Sequence, residues 1–188
     1  MALEEAYGKK PAPEEIFNYV YAVLYAPTFR EKYAEFLRMD FPRVPITVDA
    51  KLFSELAKLG ARLSSLHLLK SPELDPPACR FQGEGDGRLA KGKKGGLHYD
   101  PAKKRVYINA TQTFGPIPQK VWEYRVGGYQ VCEKWLKDRI ARPLAVDDIR
   151  TYCRIVTAIG LTIDIQAKID ALYPRVERKS LDFRHSRI

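Results

Sequence analysis

The stretch VWEYRVGGYQVCEKWLKDRIAR, Val121 to Arg142, carries two tryptophans, two tyrosines, a Gly-Gly pair and five basic side chains. Val121 to Val126 alternates with the period of a strand, placing Trp122, Tyr124 and Val126 on one side and Glu123 and Arg125 on the other. Gly127 and Gly128 break the strand, and Tyr129 to Arg139 has helical spacing at Cys132, Trp135, Leu136 and Arg139. A strand that runs through a glycine break into a helix predicts an α+β fold. Trp122, Cys132, Trp135 and Leu136 are then the contacts that pack helix on sheet. The same geometry leaves unpaired N–H groups at a helix N-terminus, with Arg125 and Gln130 beside them and Lys134, Lys137, Arg139 and Arg142 following, a pattern suited to holding a phosphate.

Upstream, the chain reads as helical from 13 to 70. Pro13, Glu14 and Glu15 open a helix, since proline suits the first turn and acids suit the positive end of the dipole. Ile16, Phe17, Val20, Val23 and Leu24 fall on one face, and Pro27 ends the helix. Thr28 and Glu31 have the spacing of a capping box and predict a second helix to Arg38. Phe41 to Thr47 holds two prolines and is extended. Asp49 then caps a third helix whose core stripe is Leu52, Leu56, Leu59, Leu63 and Leu66.

Periodicity vanishes from Ser71 to Lys104, where FQGEGDGRLAKGKKGG marks a long loop or a flexible β excursion. Lys91, Lys93 and Lys94 on glycine hinges are placed to reach phosphates. Gly96 to Tyr99, the Asp100-Pro101 turn and Arg105 to Asn109 read as a hairpin. In it Val106 and Ile108 point inward, and Arg105, Tyr107 and Asn109 outward. This part, 71–120, also holds Lys103, Lys104 and Gln112. The remainder, 121–172, is strand, helix and a last long helix from Asp147 to Leu172, ended by Pro174. The expected class is α+β, mainly helical with a small antiparallel β-sheet, in one domain over 1–188.

The chain has 188 residues, 32 Lys and Arg against 23 Asp and Glu, and a formal charge of +9, so long-range attraction to a polyanion is expected. No apolar run approaches the roughly 20 residues that span a bilayer, and MALEEAYGKK has no signal-peptide pattern, so a cytoplasmic protein without membrane partners is expected. Cys79, Cys132 and Cys153 are too widely spaced for a zinc or disulfide framework and are expected to be buried or inert thiols; no metal or other cofactor is indicated.

Several motifs with catalytic echoes fail on context. Asp75-Pro76-Pro77-Ala78 approaches the turn of amino-group DNA methyltransferases, but Ala78 cannot stack on a base and no glycine-rich cofactor turn precedes it. Glu177-Arg178-Lys179 lies in a charged tail without a partnering aspartate. Nothing in the sequence brings His67, His98 or His185 to a cysteine or a serine, so they read as ordinary polar side chains. Gly83, Gly85 and Gly87 lack the flanking strand, helix and Lys-Ser/Thr of a phosphate loop.

Three ordered blocks, IFNYVYAVLYAPTFREKYAEFLRMDFPRVP, LGARLSSLHLLKSPEL and VWEYRVGGYQVCEKWLKDR, resemble the C-terminal specificity domain of Type ISP restriction-modification enzymes. The resemblance runs from about Glu14 to Asp170. In that family one polypeptide carries nuclease, helicase-like ATPase, adenine methyltransferase and specificity regions in order, and the last reads an asymmetric DNA sequence. The resemblance implies double-stranded DNA recognition without catalysis in this chain, partnered by the nuclease, helicase and methyltransferase regions of a parent enzyme or a separate subunit. The glycine-lysine loop and the Cys79 region depart from the pattern, so no single base contact carries over. The side chains expected to read or orient are Arg105, Tyr107, Asn109, Gln112, Arg125 and Gln130, with the lysines on the backbone. The competing expectation is a helical module that docks on a methyltransferase or translocase through an apolar helix face.

Overall fold

The computed structural model describes residues 2–91, 95–140 and 142–180. Lys93, Lys94 and His185 lie outside them. The elements are α1 (Ala2–Tyr7), α2 (Pro13–Tyr25), α3 (Pro27–Lys32), α4 (Phe36–Met39), α5 (Ala50–His67), a 3-10 turn (Pro72–Leu74), β1 (Arg80–Gln82), β2 (His98–Asp100), β3 (Arg105–Tyr107), β4 (Thr113–Gly115), α6 (Gln119–Trp122), β5 (Arg125–Val126), β6 (Tyr129–Gln130), α7 (Val131–Lys137) and α8 (Val146–Arg178). This is an α+β fold, mainly helical, with a small antiparallel sheet. The chain divides into two compact units, one of residues 1–68 and 162–188, the other of 69–161.

The first unit is built on α2 against α5. Asp49 caps α5 as expected, its side chain accepting from the backbone N–H groups of Lys51 and Leu52. Backbone hydrogen bonding from Leu52 comes first among the causes that hold its carboxyl below the usual range, ahead of the cations Lys179 and Arg175. Leu52, Leu56, Leu63 and Leu66 are buried, with Leu59 half-buried. Gly60, which the leucine stripe did not single out, decides how close the helices come. A Cβ there would lie 1.8 Å from the carbonyl oxygen of Asn18. That approach turns α2 onto Tyr19, Ala22 and Val23, and leaves Phe17 at 58% exposure, unlike the face expected from Ile16, Phe17 and Val20. Burial of Tyr19 is tolerated because its hydroxyl donates to Pro45 O (2.8 Å) and accepts from Thr47 N (3.1 Å), which pins the extended 41–47 segment.

Two expected helix limits are corrected here. The second helix is two short ones, α3 and α4, broken at 33–35. Pro27 at the first helical position starts α3 two residues early, and Thr28 donates its N–H and hydroxyl to the Asp170 carboxylate (2.8 and 3.0 Å) instead of forming a capping box. The last helix does not stop before Pro174 but runs to Arg178. An interior proline costs about 3 kcal/mol. Here Tyr173 and Val176 are fully buried, and Val48 N donates to Lys179 O (2.7 Å), so packing holds the final turn.

The second unit has a four-stranded antiparallel sheet in the order β1-β4-β3-β2 and a two-stranded hairpin β5-β6. The expected hairpin of 96–109 is present, with Tyr99 opposite Val106 and both Val106 and Ile108 fully buried. Phe81, Phe114, Val106 and Tyr99 share the inner face, and Phe114 meets Tyr152 of α8 at 4.5 Å. The strand expected over Val121–Val126 is corrected: Gln119–Trp122 is a helical turn, with Trp122 N and Val121 N both bonded to Pro118 O. Val121 and Trp122 are consecutive and both buried, which a helical turn permits and a half-exposed strand does not. Gly127 and Gly128 are the tip of the β5-β6 hairpin, with Gly127 at φ +57°. Trp122 is buried against Tyr99 (5.3 Å) as expected, while Trp135 is half-buried between Tyr152 (5.3 Å) and the Arg139 guanidinium (3.5 Å). All three cysteines are free and buried, and burial pushes the Cys132 thiol up to about 12.

Candidate nucleic-acid interface

The register of the four strands arranges the sheet's outer face into two rows. One row is Gln82, Thr113, Tyr107 and His98; the other is Arg80, Gly115, Arg105 and Asp100. Tyr107 and His98 stack at 4.7 Å with ring planes 2° apart, and His98 Nδ1 bonds Gly96 O at 2.7 Å. A carbonyl only accepts, so that nitrogen carries the proton in the neutral ring. Lys103 lies against Tyr107, 3.4 Å from its hydroxyl, and 3.8 Å from Asp100. Arg105 rests its stem over Gly115, where a Cβ would come within 2.9 Å of Arg105 Cγ. Lys104, at φ +53°, closes the turn and is exposed, as is Lys91. Among the described residues Lys91, Lys104 and Arg105 have no carboxylate partner.

Gln112, expected to read or orient, is buried, and Asn109 is half-exposed with its side chain engaged in local hydrogen bonds. Gln112 is 3% exposed, and its Oε1 accepts from Gly87 N (2.9 Å) and Asn109 Nδ2 (2.8 Å). Asn109 Nδ2 also donates to Arg88 O, and its Oδ1 accepts from Thr111 N and Gln112 N. The GEGDG segment wraps this pair. Gly83 has φ +99°, and a Cβ there would fall 2.1 Å from Thr111 O, so the glycines serve the wrapping. The pair thus holds the loop that carries Lys91.

The Val121–Arg142 segment is tied internally. Gln130 donates to Trp122 O (2.6 Å), Arg125 to Gly128 O (3.1 Å), and Val131 N to Tyr124 O (3.1 Å), which closes the hairpin and takes up one backbone N–H at the expected phosphate position. Four of its five cations are paired: Lys134 with Asp138 (2.5 Å), Lys137 with Glu133 (2.9 Å), and Arg139 and Arg142 both with Asp148 (3.1 and 2.7 Å). The Arg142 guanidinium is the first cause that holds the Asp148 carboxyl well below the usual range. A cation that keeps its carboxylate adds little net charge toward a polyanion, so the sheet face and its loops are the more electropositive surface. Sequence reasoning missed Arg80, Gln82 and His98 as members of that face. Strands of three residues leave too little period to reveal them.

The family model described as the Type ISP C-terminal specificity domain matches residues 1–166. The chain belongs to this family. None of the curated proteins matches it. It is similar to a cryoEM structure of a DrdV-DNA complex at 25% identity and TM-score 0.69, covering 89% of this chain and 19% of that one. It also shares its fold with the Type ISP enzyme LlaGI, a nuclease-deletion mutant in complex with a DNA substrate mimic. There the identity is 20% and the TM-score 0.57, with 93% and 14% covered. The ATP-dependent Type ISP enzyme LlaBIII bound to DNA gives 20% and 0.60, with 87% and 11% covered. This Type ISP specificity domain therefore spans less than a fifth of the length of each of these chains.

Proposed function

We propose that this chain recognises a sequence in double-stranded DNA as the non-catalytic specificity part of a Type ISP-like restriction-modification enzyme. The observation that carries the reading is the outer sheet face, where Arg105, Tyr107 and His98 stand with Lys104 at the turn, and the adjoining loop that carries Lys91, with no acid taking up those cations among the described residues. Membership of the family and the likeness to enzymes in complex with DNA support it. Lys91, Lys93, Lys94, Lys103 and Lys104 hold phosphates, while Arg105 and Tyr107 orient or read base edges. Asn109 and Gln112 act by holding the loop, and Arg125 and Gln130 by closing their hairpin. Lys134, Lys137, Arg139 and Arg142 are secondary contacts that must trade a carboxylate for a phosphate. The nuclease, helicase and methyltransferase functions reside on a longer polypeptide or a separate subunit, in the cytoplasm beside the DNA. No helix among the described residues is long and apolar enough to cross a membrane. The reading of a helical docking module is not favoured.

Filter binding of random duplex at several salt concentrations tests this. Affinity should fall steeply with salt, and the Lys91→Ala, Lys104→Ala, Arg105→Ala triple variant should lower the logarithmic slope by about one unit for each phosphate no longer held. A chain with no salt-dependent affinity for duplex would overturn the reading.

A further inference from the structure

We propose that β1 is a base-reading strand, with Arg80 and Gln82 as specificity-determining residues that address base pairs two steps apart in duplex DNA. The inference rests on the DNA-recognition reading above and adds two residues and a register to it. β1 is an edge of the four-stranded sheet, since the order is β1-β4-β3-β2. Its middle residue, Phe81, packs inward on Phe114 at 4.8 Å, which turns Arg80 and Gln82 to the outer face. Both are exposed, and neither has an ion pair or side-chain hydrogen bond among the described residues. Their register partners are Gly115, which has no side chain, and Thr113, which is buried. Arg80 therefore faces no side chain on the paired strand, and Gln82 faces a threonine that is itself covered.

The start of the strand is anchored. Ala78 N donates to Thr157 Oγ1 at 3.0 Å, that hydroxyl donates to Cys153 O at 2.9 Å, and Cys79 is fully buried. A reader held this way gives up little rotational freedom of its backbone on binding. Two residues apart on a strand are about 6.6 Å apart, and two base-pair steps of about 3.4 Å span nearly the same distance. The side-chain chemistry suits bases: arginine pairs through two hydrogen bonds with O6 and N7 of guanine, glutamine with N6 and N7 of adenine. Gln82 is neutral and gains little from a phosphate, so its outward position in a basic unit is better explained by a base edge. Arg105 lies in the same row as Arg80, one strand beyond Gly115, where it can help orient the same duplex.

Selection of bound duplexes from a randomised pool, with the wild-type chain and the variants Arg80→Lys and Gln82→Ala, tests the register directly. Arg80→Lys keeps the charge and loses the two-pronged donor. The expected result is an unchanged salt slope and melting temperature for both variants. Each should lose, on the order of tenfold, the preference at one base pair, and the two affected pairs should be separated by one intervening pair. A wild-type motif retained in full by both variants would overturn the proposal, as would affected pairs at any other spacing, or a uniform loss of affinity across all sequences. A wild-type chain that enriches a motif which both variants keep overturns this inference alone, whereas one that binds duplex with a salt slope but enriches no motif overturns sequence recognition as well. A chain that binds no duplex overturns the function on which it rests.

Discussion

The two units of this molecule solve the problem of stability with different materials. Residues 1–68 and 162–188 bury helix against helix at a glycine, with leucines and a tyrosine filling the seam. Residues 69–161 hold short strands and a glycine-rich loop around the hydrogen-bonded amides of Asn109 and the buried Gln112. Charge divides along the same line. The second unit has 17 Lys and Arg against 10 Asp and Glu, a net of +7, and the first has 15 against 13, a net of +2. A seam of apolar contacts tolerates little change of volume, whereas a polar hub tolerates change of shape but not loss of a partner. The charged, loop-bearing unit is thus the one suited to meet a polyanion, and the near-neutral unit the one suited to hold a fold.

The comparison breaks most readily at Gly60. Gly60→Ala places a methyl against the Asn18 carbonyl, a backbone atom that cannot rotate away. The cost should reach or exceed the upper end of the roughly 1–3 kcal/mol of overpacking. A thermal melt should show the loss, and an unchanged melt would mean that the two helices stand farther apart. Next in size is Gln112→Ala. It leaves Gly87 N without its acceptor and Asn109 Nδ2 with Arg88 O alone, at about 1–3 kcal/mol, and should speed hydrogen exchange from residue 83 to 91 while α2 and α5 stay protected. Exchange that rises everywhere at once would show that the two units share one cooperative transition. The smallest effect belongs to Lys134→Ala with Lys137→Ala. Each exposed pair is worth about 0.3–0.5 kcal/mol, so the melt should barely move. The salt slope for duplex should also change by much less than with Lys91, Lys104 and Arg105. A large drop in slope would shift the interface from the sheet to α7.

Local signals were legible and distant ones were not. The hairpin of β2 and β3 was readable because its turn and its inward pair, Val106 and Ile108, lie close together in the chain. The capping of α5 by Asp49 was readable for the same reason. Val121–Val126 was misread because apolar residues at every second position in so short a window fit a strand as well as a helical turn followed by a short hairpin. Gln112 reads as an ordinary polar loop residue, and its role becomes visible only when Gly87, 25 residues away, is brought to its oxygen. Arg80 and Gln82 could not be placed on the outer face until β1 was paired with β4, across the whole segment that contains β2 and β3.

The sequence by itself determined the α+β class, the helices around Asp49 and the leucine stripe, the hairpin, the excess of positive charge and the family blocks, because each depends on neighbours a few residues apart or on composition. Tertiary structure alone decided which cations keep a carboxylate, which amides turn inward, that Gly60 sets the helix spacing and that Pro174 stays within α8. Those outcomes depend on which distant groups come within hydrogen-bonding or van der Waals reach, and a buried polar group takes whatever partner the fold brings to it.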